Sequence, residues 1–191
     1  MNFPDMTGPA IQTSPEDQRA LERFYAYEAR LLDNRRYMQW LSLLSEQITY
    51  VMPSRINRQI DNRDRGKEAM LSVDAELERA DSEGCPLREE NFILLSLRAE
   101  RAYKINSWSE NPPARTRRLV ANVELLGREE QTLFVVSNFH LYYARPDNPS
   151  VIYSGQRRDT LLPSGDTFRI GAREVILDYA SIELPTVGLL L

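Results

Sequence analysis

Apolar positions recur at helical spacing through the first half of the chain and alternate with polar ones through most of the second. Ser14-Pro15-Glu16-Asp17 has the make-up of a helix start: a capping hydroxyl, a proline at the first helical position, and acids where the helix dipole favours them. Leu21, Phe24, Tyr25, Leu31 and Leu32 then fall along one stripe, which predicts an amphipathic helix. Asp33 and Asn34 allow a break, and Tyr37, Trp40, Leu41 and Leu44 predict a shorter second helix. Ile48, Tyr50 and Met52 alternate with Thr49 and Val51 up to Pro53, which has no N–H for a ladder, so the first strand is expected there. Met70, Val73, Leu77 and Ala80 predict a third helical face. Beyond Gly84-Cys85-Pro86, the positions Phe92, Leu95, Ala99, Ala102 and Tyr103 predict a fourth.

From Thr116 the period falls to two. Leu119, Ala121, Val123 and Leu125 are expected on one face of a strand, with Arg118, Asn122 and Glu124 on the other. Further strand-like runs follow at about 131–144, 151–162 and 174–180, joined by turn formers at 145–150 and by Pro163-Ser164-Gly165-Asp166. Helices first and consecutive antiparallel strands afterwards predict an α+β domain, with N-terminal helices packed on a curved, mainly antiparallel sheet. Residues 1–13 hold Pro4, Gly8 and Pro9 without periodicity and are expected to form a flexible arm, leaving 14–191 as a single domain.

Composition narrows the chemistry. In 191 residues, 24 Lys and Arg stand against 28 Asp and Glu, a net charge of −4 that argues against a nucleic-acid partner. The chain has one His and one Cys. His140 and Cys85 cannot supply a structural zinc site, a thiolate-bound iron–sulfur cluster or a two-His, one-carboxylate iron site. An all-carboxylate Mg or Ca site stays arithmetically possible, but no D-x-D-x-D-G loop appears, and no metal or cofactor is expected in this chain. A lone Cys forbids an intrachain disulfide and suits a reducing compartment. With no apolar run of membrane-spanning length and no signal-peptide start, no membrane association is expected and a cytoplasmic location is. The G-x-G-x-x-G, P-loop, G-x-S-x-G and H-E-x-x-H motifs are absent.

Several residues remain as candidates. His140 shares a strand face with Asn138 and Tyr142, which suits either a general base beside a tyrosine donor or a polar face turned to solvent or another chain. Asp159 and Asp178 stand in strand-like runs, where each is either a base beside Tyr153 or Tyr179 or a partner for Arg157, Arg158 and Arg173. Cys85 has no histidine nearby and reads as an inert thiol. The basic run from Arg55 to Lys67 reads as a solvated loop or an electrostatic docking surface. Residues 108–118, W-S-E-N-P-P-A-R-T-R-R, combine rigid prolines, an aromatic and planar guanidinium donors, which is the make-up of a docking segment or of a stiff connector. Trp108, Asn111, Pro112, Arg115, Arg117 and Arg118 are therefore candidate subunit-interface residues. The apolar residues 184–191 either close the domain's own core or plug into a neighbouring subunit.

Two stretches carry a family resemblance. Residues 28–53, E-A-R-L-L-D-N-R-R-Y-M-Q-W-L-S-L-L-S-E-Q-I-T-Y-V-M-P, and residues 109–123, S-E-N-P-P-A-R-T-R-R-L-V-A-N-V, resemble the small (β) subunit of aromatic-ring-hydroxylating dioxygenases, the Rieske non-haem iron oxygenases. The chain departs from that family at Ala114, where serine is common, at Arg118, where histidine is common, and at Gln47, where an acid often stands. The resemblance implies a cone-shaped cystatin-like (NTF2-like) fold without catalytic residues. It also implies three such chains forming a trimeric base under three large (α) subunits, which hold the Rieske [2Fe-2S] cluster and the mononuclear Fe(II). Electrons would come from NAD(P)H through a reductase and a ferredoxin, and the complex would cis-dihydroxylate aromatic hydrocarbons or aromatic acids with O₂. Two rival readings of the residues stay open: a small isomerase or dehydratase of the same fold with an Asp or His and a Tyr in the cone, and a stand-alone ligand-binding or dimerisation module.

Overall fold

The structure is a computed structural model that describes residues 3–4, 8–79, 84–104, 111–146, 148–181 and 190–191. Helix α1, Pro15–Asp33, begins where Ser14 caps it: the serine hydroxyl accepts the Asp17 N–H at 3.0 Å, with Glu16 and Asp17 in the first turn. Helix α2 spans Tyr37–Leu41 and strand β1 runs over Leu44–Met52, so Leu44 already belongs to the sheet. Two short strands, β2 (Ser54–Arg55) and β3 (Leu77–Glu78), pair with each other, and β4 (Arg88–Asn91) leads into helix α3, Phe92–Arg101. The long strands follow: β5 (Arg115–Glu129), β6 (Thr132–Ala144), β7 (Val151–Ser164) and β8 (Thr167–Leu177).

The six-stranded sheet has the order β4-β1-β8-β7-β6-β5. Consecutive strands β5 to β8 form an antiparallel meander, β1 lies parallel to β8, and β4 closes the far edge antiparallel to β1. The sheet curls around the helices, with α1 against β5 and α3 beside α2 and β1. Trp40, Tyr50, Met52, Leu95, Leu141, Leu161, Ile170 and Val175 fill the core between the layers.

Strand β5 is an edge, and α1 covers it. The Asp33 carboxylate accepts the Arg118 N–H at 2.9 Å and the Thr116 hydroxyl at 3.0 Å. Gln18 donates to the Val123 carbonyl at 2.8 Å, and the Ile11 N–H donates to the Leu125 carbonyl at 3.0 Å. Side chains and one stretch of the arm thus occupy ladder positions that a further strand would otherwise take. Phe3 also packs edge-on against Phe134, so the described parts of the arm lie on the sheet.

The structure departs from the alternation expected along β5. Between Ala121 and Glu124 the strand carries one residue more than β6 opposite, and Asn122 takes a left-handed φ of 50°. This bulge exchanges the faces: Leu119 and Ala121 point outward, whereas Val123 and Leu125 are buried. The helix expected from Met70 through Ala80 is also replaced. Two 3₁₀ turns, Glu68–Leu71 and Val73–Glu76, run into β3, with Leu71 and Val73 exposed. Ion pairs from Asp74 and Arg79 to Arg158 and Glu174 fasten this segment over the outer face of the sheet. The last strand ends at Leu177, three residues short of the expected limit, and β4 was not foreseen from its charged sequence.

Candidate functional site

The interior of the curled sheet holds a closed cluster of charges. Tyr25 and Glu28 are three residues apart on the buried side of α1. Arg157 and Asp159, two residues apart on β7, share its inner face, and the sheet register sets Arg173 of β8 directly opposite Asp159. Arg173 donates to Asp159 at 2.8 and 2.7 Å and to Glu28 at 2.6 and 3.0 Å. Arg157 donates to Glu28 at 3.1 Å and stacks its guanidinium over the Phe139 ring at 5.1 Å. The Trp40 indole donates to Glu28 at 3.0 Å and the Tyr25 hydroxyl to Asp159 at 2.9 Å. Tyr25, Glu28, Arg157, Asp159 and Arg173 are all buried.

Two carboxylates balance two guanidiniums here, which is the condition under which buried charge is tolerated. Burial alone would raise the Glu28 carboxyl, but Arg173 and Arg157 overcome that and hold it down at about 2. Burial and then the Asp159 charge push the Tyr25 phenol well above its ordinary value. Burial opposes charge on Arg173 as well, yet Asp159 and Glu28 outweigh it and raise its pKa. Both oxygens of each carboxylate are already engaged, so neither acid faces space in which a substrate proton could be taken up.

Next to this cluster the last two residues are stitched into the core. The Tyr50 hydroxyl donates to the Leu191 backbone oxygen at 3.0 Å, and the Leu191 N–H donates to the same hydroxyl at 3.2 Å. Arg118 donates to the Leu190 carbonyl at 2.6 Å and pairs with Asp33.

The candidates drawn from the sequence do not converge. Asp159 points inward and is paired with Arg173 and Tyr25, whereas His140 points outward from β6 in register with Leu119 and Ser154. His140 lines an open groove of about 840 Å³ between the sheet and the 3₁₀ segment, together with Asn138, Ser154, Gln156 and Asp178. Asp178 accepts the Ser154 hydroxyl and an Arg55 donor at 3.3 Å. Tyr153 packs edge-on against Tyr179, and Tyr179 donates to the Ile152 carbonyl. Cys85 is an exposed free thiol.

Of the proposed interface residues, Asn111, Pro112, Arg115 and Arg117 are exposed, and Trp108 lies outside the described residues. Arg118 differs: it is buried, with its guanidinium turned into the chain's own interior, because it precedes the bulge on the inward parity of β5. Within this chain it is a staple between Asp33 and the Leu190 carbonyl. Glu28 escapes the sequence candidates, although it falls between Tyr25 and Leu31 on the apolar stripe, where a lone acid demands a buried cation. Among the described residues no three His, Cys, Asp or Glu side chains gather as a metal site would need, and no helix is long and apolar enough to cross a membrane.

Comparison with known proteins places this geometry in context. The family model described as ring hydroxylating beta subunit matches residues 27–183. The β subunit of benzene 1,2-dioxygenase from Pseudomonas putida is 34% identical over 172 residues, covering 88% of this chain and 86% of that one. The β subunit of biphenyl 2,3-dioxygenase from Rhodococcus jostii is 31% identical over 179 residues, covering 92% and 89%. Among solved structures, a chain of naphthalene 1,2-dioxygenase with indole bound superposes with a TM-score of 0.77 at 21% identity, covering 95% of this chain and 90% of that one. The β subunit of benzoate 1,2-dioxygenase from Burkholderia mallei gives 0.63 at 23% identity, covering 88% and 93%. These two likenesses show the fold.

Proposed function

Because this chain belongs to the family of ring-hydroxylating dioxygenase β subunits, we propose that it is the non-catalytic base of a cytoplasmic hetero-hexamer containing three copies of it and three large oxygenase subunits. As the structural subunit of a multicomponent dioxygenase it works beside the large subunit. In this reading the large subunit holds the Rieske cluster and the mononuclear iron, and a reductase and a ferredoxin deliver electrons from NAD(P)H. The complex adds both atoms of O₂ to an aromatic hydrocarbon or aromatic acid, giving a cis-dihydrodiol.

The observation that carries this reading is the filled interior. The rival reading, an isomerase or dehydratase of the same fold, needs an open pocket in which an acid or histidine meets a tyrosine. Here that space is taken by the Glu28–Arg173–Asp159 cluster, and the only histidine faces the opposite side of the sheet. Asn111, Pro112, Arg115 and Arg117, with Trp108 beyond the described residues, are proposed as contacts to the other chains of the hexamer.

Co-production with the large subunit tests the proposal. Equal amounts of the two chains should co-purify, with iron accounted for by the large subunit. Arg115→Ala and Arg117→Ala should lower the yield of hexamer while iron per large subunit stays constant. Tightly bound iron in the isolated chain, or turnover of a small hydroxy or keto compound by it, would refute the reading.

A further inference from the structure

Ser137 of β6 and Arg157 of β7 stand directly opposite each other in the antiparallel register. Their side chains therefore leave the same, inner face of the sheet, with Cβ atoms about 4.5–5.5 Å apart. Both residues are fully buried. Arg157 engages Glu28 through Nη1 at 3.1 Å and lays its guanidinium over the Phe139 ring. Its other edge, Nε and Nη2, has no hydrogen-bond partner among the described residues, and neither has the Ser137 hydroxyl. A guanidinium edge holds its donors in a fixed fork, and burying them unpaired is costly because they belong to a charged group.

We infer that a water molecule is bound inside the sheet at this pair, accepting from Arg157 Nε and Nη2 and hydrogen-bonded to Ser137 Oγ. Size, charge and bonding capacity select water. Along the inward row of β6, Ser137 is the one small side chain, set between Val135 and Phe139. On its other side β5 carries the bulge between Ala121 and Glu124, and Ser137 has no register partner there. A row that narrows at one serine makes room for a molecule of one heavy atom, not for a substrate. Glu28 and Asp159 already offset Arg157 and Arg173, and Asp33 offsets Arg118, so an anion would leave this interior with uncompensated negative charge. The bound molecule must accept two N–H bonds and pair with a hydroxyl that lacks any other partner. Water does all of this with three partners, the usual number for a buried one. Bound there, it fixes the free edge of Arg157 and so keeps the guanidinium flat over Phe139 and aimed at Glu28.

A crystal structure of the complete chain, alone or in the assembled oxygenase, should show one isolated peak about 2.7–3.2 Å from Arg157 Nε, Arg157 Nη2 and Ser137 Oγ. Crystals grown with bromide in place of chloride should give no anomalous signal at that peak. Ser137→Ala removes one of the three partners and should lower the melting midpoint by about 2–4 °C, with the peak retained on Arg157. Ser137→Val should displace the peak and lower the midpoint further, because a methyl group cannot meet the guanidinium edge. If Ser137→Val does not fold, the unmodified chain and Ser137→Ala decide. The inference is overturned if no peak is found and Nε and Nη2 turn instead onto protein acceptors. A bromide signal overturns it in favour of an anion. A raised midpoint in Ser137→Ala also overturns it, since deleting a buried hydroxyl that bonds nothing stabilises the fold. These three outcomes leave the subunit reading standing, whereas density for an organic molecule at the pair would overturn both, because the interior would then be a ligand pocket.

Discussion

Replacing Glu28 by glutamine would leave Arg157 and Arg173 buried with Asp159 as their one carboxylate. An uncompensated buried charge typically costs about 3–5 kcal/mol, so Glu28→Gln should lower the urea midpoint sharply with an unchanged dependence on denaturant. The same carboxylate makes the fold sensitive to acid. Its pKa is held at about 2 in the folded chain against an ordinary 4.5, so the unfolded state binds the extra proton at intermediate pH. The stabilisation is complete above the ordinary value and disappears as pH falls toward 2, and it amounts to about 3 kcal/mol at 1.36 kcal/mol per pKa unit. Denaturation curves recorded through that window should show a loss that Glu28→Gln does not. The pairing of Asp159 with an arginine was legible in the sequence because Arg157, Arg158 and Arg173 stand within strand reach of it. Glu28 was less visible, since its arginine partners come from strands more than a hundred residues away.

At the scale of elements, the periodicities located α1, α3 and the long strands, because each has a buried face long enough to set its register. They failed where a local conformation or a distant ion pair overrode them. Asn122 is the clearest case: its left-handed backbone turns Leu119 out and Val123 in, although the two share a parity. Asn122→Gly should be nearly neutral, whereas Asn122→Val should cost about 1–2 kcal/mol, the penalty of left-handed backbone for a β-branched residue without the short polar side chain that lets asparagine adopt it, as measured by thermal melts. The segment after Met70 failed for the other reason, since its acids and Arg79 are drawn to Arg158 and Glu174 instead of continuing a helix. Close packing inside the sheet sets a further limit at Gly155, opposite Phe139. A Cβ there would stand 2.2 Å from the Ile176 carbonyl oxygen, so Gly155→Ala should destabilise by about 1–3 kcal/mol in the same melts.

For the molecule as a whole, one His and one Cys leave this chain without the ligands for a thiolate-bound cluster or a two-His iron site, and the family it belongs to is that of ring-hydroxylating dioxygenase β subunits. The identity of the interior filling was hidden, because burial depends on the way three distant elements meet. With Asp159 sealed inside and His140 outside, His140→Ala in the assembled oxygenase should leave turnover per iron within about twofold of the unmodified complex, since a surface change is usually worth less than about 0.5 kcal/mol. A loss of a hundredfold or more in single-turnover assays would instead assign this histidine to the chemistry.

The cover that α1 provides for β5 bears on how the chain behaves before it finds its companions. Peeling that helix away would bare a fifteen-residue ladder able to recruit the same strand of another copy. Whether that edge stands open to another copy therefore turns on a handful of polar contacts along one seam, those of Gln18 and Asp33 among them.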